Sequence, residues 1–113
     1  MAEEARHDAL FPRAAAVVHQ GGAGTLHQAL RAGCPMLVVP HAHDQPDNAH
    51  RVVRLGIART VSPARYQADH VRPLIASLIE EPGYRARARE VADVVKAESG
   101  ADGAARAIEG LLA

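Results

Sequence analysis

The sequence predicts an α/β domain, a parallel sheet of about three strands with crossover helices and a helical C-terminal region. Three observations lead there. Short unbroken apolar runs at 14–18 and 36–39 have the length of strands and suit burial on both faces, and Ile57-Ala58-Arg59-Thr60-Val61 reads as a third, shorter strand. Segments with apolar residues at helical spacing alternate with them. Glycine or proline stands at the junctions, at Gly21, Gly33, Pro35, Pro40, Gly56 and Pro63.

In order along the chain, residues 1–8 are polar and read as frayed chain or a short helix, with Leu10-Phe11-Pro12 anchoring them to the core. Ala14-Ala15-Ala16-Val17-Val18 is the first strand. A glycine-rich turn leads into a helix over 24–32, and Gly33 stands where a left-handed C-terminal cap belongs. Pro35 resets the chain ahead of the second strand, Met36-Leu37-Val38-Val39, which Pro40 ends. A polar loop at 41–47 follows. Pro46 and Asp47 suit the opening of a helix that runs to about Leu55 with Ala49, Val52, Val53 and Leu55 inward. Gly56 ends it, 57–61 is the third strand, and Ser62-Pro63 begins a turn.

Residues 68–80 then place Val71, Leu74, Ile75, Leu78 and Ile79 on one helical face. Asp69 as N-cap sets Pro73 in or just past the first turn, where the ring does least harm. An Arg- and Ala-rich helix covers 83–98. The stretch 99–103 breaks it, and a last helix carries Ile108, Leu111 and Leu112.

At 113 residues the chain suffices for one domain with one modest core. Apolar residues are 48% and charged residues 23%, as in soluble globular proteins. Aromatics are 3% with no Trp, so Ala, Val, Leu and Ile must build the core. The formal net charge of zero removes the electrostatic case for a nucleic-acid partner. Twelve of the thirteen basic residues are Arg, which reads as compositional bias. The single cysteine, Cys34, cannot form an intrachain disulfide and reads as a small packed thiol. Residues 1–6 hold no apolar segment, and no run approaches the roughly 20 residues of a membrane span. The expected setting is reducing and cytoplasmic.

The chemistry concentrates in two loops that each follow a strand. In a parallel sheet both lie at the strands' carboxyl ends, where one ligand can touch both. The first, His19-Gln20-Gly21-Gly22-Ala23-Gly24-Thr25, lacks the Gly-Lys-Ser/Thr of a Walker A loop and departs from Gly-x-Gly-x-x-Gly. It still offers an anion backbone N–H groups from Gly22 to Thr25, the Thr25 hydroxyl, a ring N–H of His19 and a helix start. In the second loop Asp44 accepts, while Gln45 donates and accepts, a pair suited to neighbouring sugar hydroxyls. Asp44 equally fits an N-cap ahead of Pro46.

The segments His19-Gln-Gly-Gly-Ala-Gly-Thr25, Arg31-Ala-Gly-Cys-Pro35-Met-Leu-Val-Val-Pro40 and Asp44-Gln45-Pro-Asp-Asn48-Ala49 together resemble the donor-binding signature of GT-B glycosyltransferases that use nucleotide-diphospho-sugars. These are the UDP-glycosyltransferases and the bacterial macrolide, glycopeptide and sterol enzymes. The resemblance runs from about Phe11 to the C-terminus and rests on two separated loops at matching distance.

It implies a Rossmann-like fold and a UDP- or dTDP-sugar as donor, with no cofactor. His19, Gly21, Gly22, Ala23, Gly24 and Thr25 then take the diphosphate, and Asp44 and Gln45 the transferred hexose. His27 stands where plant members have a ribose-holding Glu, and otherwise faces solvent. The likeness covers only the later part of the donor domain. The acceptor-binding N-terminal domain, which carries the family's general base, is not matched, so no catalytic residue is assigned here and the isolated chain is expected to be inactive. Truncation of a longer enzyme, or a donor subunit completed by a partner chain, both fit. Truncation would leave the edge of the first strand bare and open to self-association.

Two rival readings stand beside this one. His41, His43, Asp44 and His50 are residue types that hold zinc, although a loop and a helix flank separate them. The helical region 68–112 reads otherwise as a non-catalytic interaction module.

Overall fold

The computed structural model describes residues 15–98, 106 and 109–111. Three short strands, β1 (Val17–His19), β2 (Met36–Val38) and β3 (Ala58–Thr60), form one parallel sheet in the order β1-β2-β3. Val17 pairs with Met36 and Met36 with Ala58, so the strands are in step. The helices α1 (Ala23–Ala32) and α2 (Gln45–Arg54) are the crossovers, and a 3-10 turn (Pro63–Arg65) leads to α3 (Ala68–Glu80) and α4 (Pro82–Ala97). The predicted class and the order of its elements are those of the structure.

The sheet has a core on each face, as a parallel sheet requires. On one face Val17, Met36, Val38 and Ala58 pack with Ala29 and Leu30 of α1, Ala49 and Val52 of α2 and Val91 and Val95 of α4. On the other, Leu37, Val39 and Val61 pack with Leu78 of α3, and Val71, Leu74 and Ile75 cover them partly. Cys34 is fully buried in the first core, and burial pushes its thiol pKa up, as expected of a packed thiol.

Several expected details are corrected. β1 starts at Val17 rather than at residue 14, because β2 offers only three pairing positions and the last of them takes His19. β1 is not buried on both faces, since Val18 is 42% exposed. Val18 is in register with Leu37, yet α3 lies over β2 and β3, and β1 is the sheet edge. Val53 and Ile79, expected inward, are exposed, because the apolar stripes of α2 and α3 are narrower than their sequences allow. The N-cap of α3 is Gln67 instead of Asp69, so Pro73 sits well inside the helix. It is tolerated there with its ring exposed. Expectations for residues 1–14, the break at 99–103, Ile108 and Leu112 lie outside the described residues. Leu111 is helical and packs against the first core, and Arg51 reaches Glu109 at 3.1 Å.

Candidate functional site

Because β1 and β2 are parallel, the turn after His19 and the loop after Val39 leave the same end of the sheet. The two are in direct contact. Asn48 Nδ2 donates to the Gly21 carbonyl at 2.9 Å. A Cβ placed on Gly21 would meet the Gln45 carbonyl oxygen and Val38 Cγ1, each at 3.2 Å. Gly21 also has φ +98°, a conformation that side chains resist. Backbone angle and close approach together demand glycine at this one position.

His19 ends β1 beside this turn. The Gly21 N–H donates to its Nδ1 at 2.9 Å, and its Nε2 lies 3.2 Å from Met36 Sδ. Since Nδ1 accepts, the ring proton sits on Nε2. Burial lowers the imidazole pKa to about 4, so the ring is neutral at pH 7. Both ring nitrogens thus face the protein's own groups, and His19 braces the turn it borders.

The two helix starts differ in a way that assigns different chemistry to each. In α1 the first helical bond runs from Leu26 N–H to the Gly22 carbonyl, at 2.9 Å. The amides of Ala23, Gly24 and Thr25 precede it and have no side-chain cap, and no acidic residue stands in the first turn. Ala23 and Gly24 are exposed, and nothing lies within 4 Å of a Cβ built at Gly22 or Gly24. Among the described residues, the start of α1 is an uncapped cluster of donors at the positive end of a helix. At α2, Gln45 N–H bonds the Ala42 carbonyl at 3.1 Å, Pro46 has no N–H, and Asp47 brings negative charge. That start offers side chains rather than amides.

The second loop is shaped by Gln45. Its Oε1 accepts from His41 N–H at 2.8 Å and Ala42 N–H at 3.2 Å, which leaves its NH₂ as the group to present outward. His41 Nδ1 also lies 2.9 Å from the Val39 carbonyl. His43 has φ 58°, an uncommon conformation for a residue with a Cβ and one costing about 1 kcal/mol. Asp44 occupies the N-cap position, yet its side chain makes no capping bond and is exposed. Thr25 and His27 are half-buried on the first and second turns of α1. Among the described residues no three His, Cys, Asp or Glu side chains group to hold a metal ion, so His41, His43, Asp44 and His50 form no such cluster.

Sequence reasoning passed over Asn48 as a contact, although its place three residues after Gln45, on the first turn of α2, sets it beside the neighbouring loop. It also missed Arg85 and Arg87 of α4. Arg85 donates to the Gly33 carbonyl at 2.8 Å and to the Ala15 carbonyl at 3.1 Å. Arg87 Nε donates to the Leu55 carbonyl at 2.8 Å. These arginines, read as compositional, tie down the far ends of α1 and α2.

Comparison with known proteins meets this geometry. Residues 6–111 match the family described as Erythromycin biosynthesis protein CIII-like, C-terminal domain. The O-mycaminosyltylonolide 6-deoxyallosyltransferase of Streptomyces fradiae is 41% identical over 101 residues, 88% of this chain and 24% of that protein. The vancomycin aglycone glucosyltransferase of Amycolatopsis orientalis is 40% identical over 109 residues, 96% of this chain and 26% of that protein. The chain therefore spans about a quarter of the length of these relatives.

Among solved structures, the glycotransferase of kitacinnamycin superposes with a TM-score of 0.78 at 34% identity, over 95% of this chain and 28% of that one. The glycosyltransferase VinC, solved in complex with dTDP, gives 0.72 at 30% identity, over 92% of this chain and 27% of that one. By family match, relatives and fold alike, the chain belongs to the EryCIII-like C-terminal domain family of the GT-B glycosyltransferases.

Proposed function

We propose that this chain binds the diphosphate and sugar of a UDP- or dTDP-linked hexose, as the donor-holding part of a glycosyltransferase acting on an acceptor hydroxyl. The observation that supports this most is the contact between the two loops through Gly21, Gln45 and Asn48, which brings the turn ahead of the α1 amides against the loop that carries the exposed Asp44. The diphosphate takes the amides of Gly22, Ala23, Gly24 and Thr25 and the Thr25 hydroxyl, with Gly21 shaping the turn. A phosphate oxygen is a better acceptor than the Met36 thioether, so the Nε2–H of His19 is the ring proton available to it. Asp44 accepts from sugar hydroxyls and the Gln45 NH₂ donates to them, while His27 lies to the ribose side. As the nucleoside diphosphate leaves, charge grows on the phosphate facing the fixed amides, where preorganised donors lower the barrier most.

Transfer also needs a base on the acceptor. The resemblance assigns that base to the family's other domain, in the same polypeptide or on a partner chain. We infer that these residues alone bind the donor without transferring it, in a reducing cytoplasm. Among the described residues β1 has no partner on its outer edge and Val18 is exposed, which supports self-association there.

Calorimetric titration of the full chain with UDP, dTDP and their glucose conjugates tests the reading. Saturable binding of a nucleoside diphosphate, tightened by the attached sugar, is expected. No binding of any of the four at millimolar concentration would overturn it.

A further inference from the structure

The Gly21 peptide unit is held from both sides. Its N–H bonds His19 Nδ1 at 2.9 Å, and its carbonyl accepts from Asn48 Nδ2 at 2.9 Å. Asn48 stands 27 residues further along the chain, on α2, and is half-buried. Its own backbone N–H bonds the Asp44 carbonyl at 3.0 Å, so the side chain that grips the first turn grows from the residue that closes the second loop. Both bonds come from groups that need nothing else of Gly21. Without the Asn48 bond, the side-chain hydrogen bond that remains on Gly21 among the described residues is the one from its N–H to His19.

We propose that Asn48 is a positioning residue: its carboxamide fixes the Gly21 carbonyl, sets the direction of the amides of Ala23 to Thr25, and locks the phosphate-holding turn at a constant offset from the sugar-holding loop. This rests on the donor reading above. A diphospho-sugar spans both loops, so a turn free to swing relative to Asp44 must be ordered at the moment of binding, and that ordering weakens affinity. Asn48 removes the freedom in advance without itself touching the donor.

The test uses Asn48→Asp and Asn48→Ala in the full chain. Aspartate keeps the size but opposes an acceptor to an acceptor; alanine removes the group. Amide hydrogen exchange followed by NMR reads the Gly21 N–H against the interior amides of α2, such as Val52. The expected result is loss of protection at Gly21 in both variants with Val52 unchanged, and a roughly tenfold weaker Kd for UDP and dTDP in calorimetry, the size of one well-made hydrogen bond. Exchange at Gly21 equal to the parent chain, or rising in step with Val52, overturns the proposal. So does an unchanged Kd. If the parent chain binds neither nucleotide, the donor reading fails, and the exchange result alone decides whether Asn48 positions the turn.

Discussion

The two ends of the sheet are finished in opposite ways. At the amino-terminal end, where α1 and α2 run out, the helix ends are closed. Gly33 caps α1 in the left-handed conformation with its N–H reaching the Ala29 and Leu30 carbonyls. Arg85 then takes the Gly33 carbonyl and Arg87 takes that of Leu55. Positive side chains at the negative ends of helices also favour the dipoles. At the carboxyl-terminal end, α1 starts with no side-chain cap and no acid, and the Asp44 carboxylate forgoes the capping bond its position offers. A stability-driven sequence would have closed both ends, since a cap contributes about 1 kcal/mol. The end left open is the one where parallel-sheet proteins bind ligands. The unmade local interactions thus lie at the end where the donor site is proposed, and substitutions at the two ends should separate stability from binding.

Gly21 is where that separation should fail most strongly, because there the fold and the proposed site share one residue. Gly21→Val meets both a left-handed φ and contacts 3.2 Å away. We expect a loss of about 3 kcal/mol or more in urea unfolding, together with loss of nucleotide binding. Gly33→Ala supplies the contrast. Its φ is +71°, but the nearest atom to the new Cβ is 3.5 Å away, an ordinary contact. It should cost about 1 kcal/mol and leave nucleotide binding intact. Equal costs at the two glycines would mean that the approach of Gln45 to Gly21 carries no weight.

The next largest effect is a pH dependence placed at the open end. His19 has its pKa lowered from 6.5 to about 4 in the folded chain. Between those values the unfolded state binds the extra proton, so stability rises with pH in this window. The contribution is fully present above about pH 6.5, falls as pH drops toward 4 and is constant below that, with a total on the order of 3 kcal/mol. His19→Asn keeps an acceptor near the Gly21 N–H and removes the titration. Urea unfolding at a series of pH values should show a steeper slope in the parent chain than in the variant between pH 4 and 6.5, and parallel curves above. The closed end should carry no such signature, which Arg85→Met can sharpen. Losing the cation's hydrogen bonds to the Gly33 and Ala15 carbonyls, among others, should cost about 2 kcal/mol or more with no change in Kd for UDP.

How much of this was legible beforehand follows from which interactions are local. Gly33 as a cap, Pro46 at the start of α2 and the three-strand order could be read because each depends on neighbours within one turn or on chain order. The two loops could be read as partners because parallel strands force them to one end. Burial on both faces of β1 could not, since whether Val18 is covered depends on where α3 lies. Nor could the roles of Arg85, Arg87 and Asn48, whose partners lie 52, 32 and 27 residues away. The place of His19 at the tip of β1 was legible, but not its neutral ring with Nδ1 turned onto Gly21, because that follows from the left-handed turn.

The smallest expected effect on stability is also the sharpest probe of function. Asp44 is exposed and makes no capping bond, so Asp44→Ala loses only its favourable place at the positive end of α2, about 0.5 kcal/mol. Unfolding should barely register it. In the proposed site its carboxylate meets the sugar alone, since the phosphates sit at the start of α1. The Kd for UDP or dTDP should then be unchanged, while the Kd for the corresponding sugar nucleotide rises toward that of the nucleotide without its sugar, with Gln45 keeping part of the sugar contact. Tighter binding of UDP by the alanine variant would instead place Asp44 beside the phosphates, whose charge it would repel, and redraw the division of labour between the two helix starts. The sign of the change in Kd for UDP thus decides which end of the donor faces α2, independently of the size of the effect.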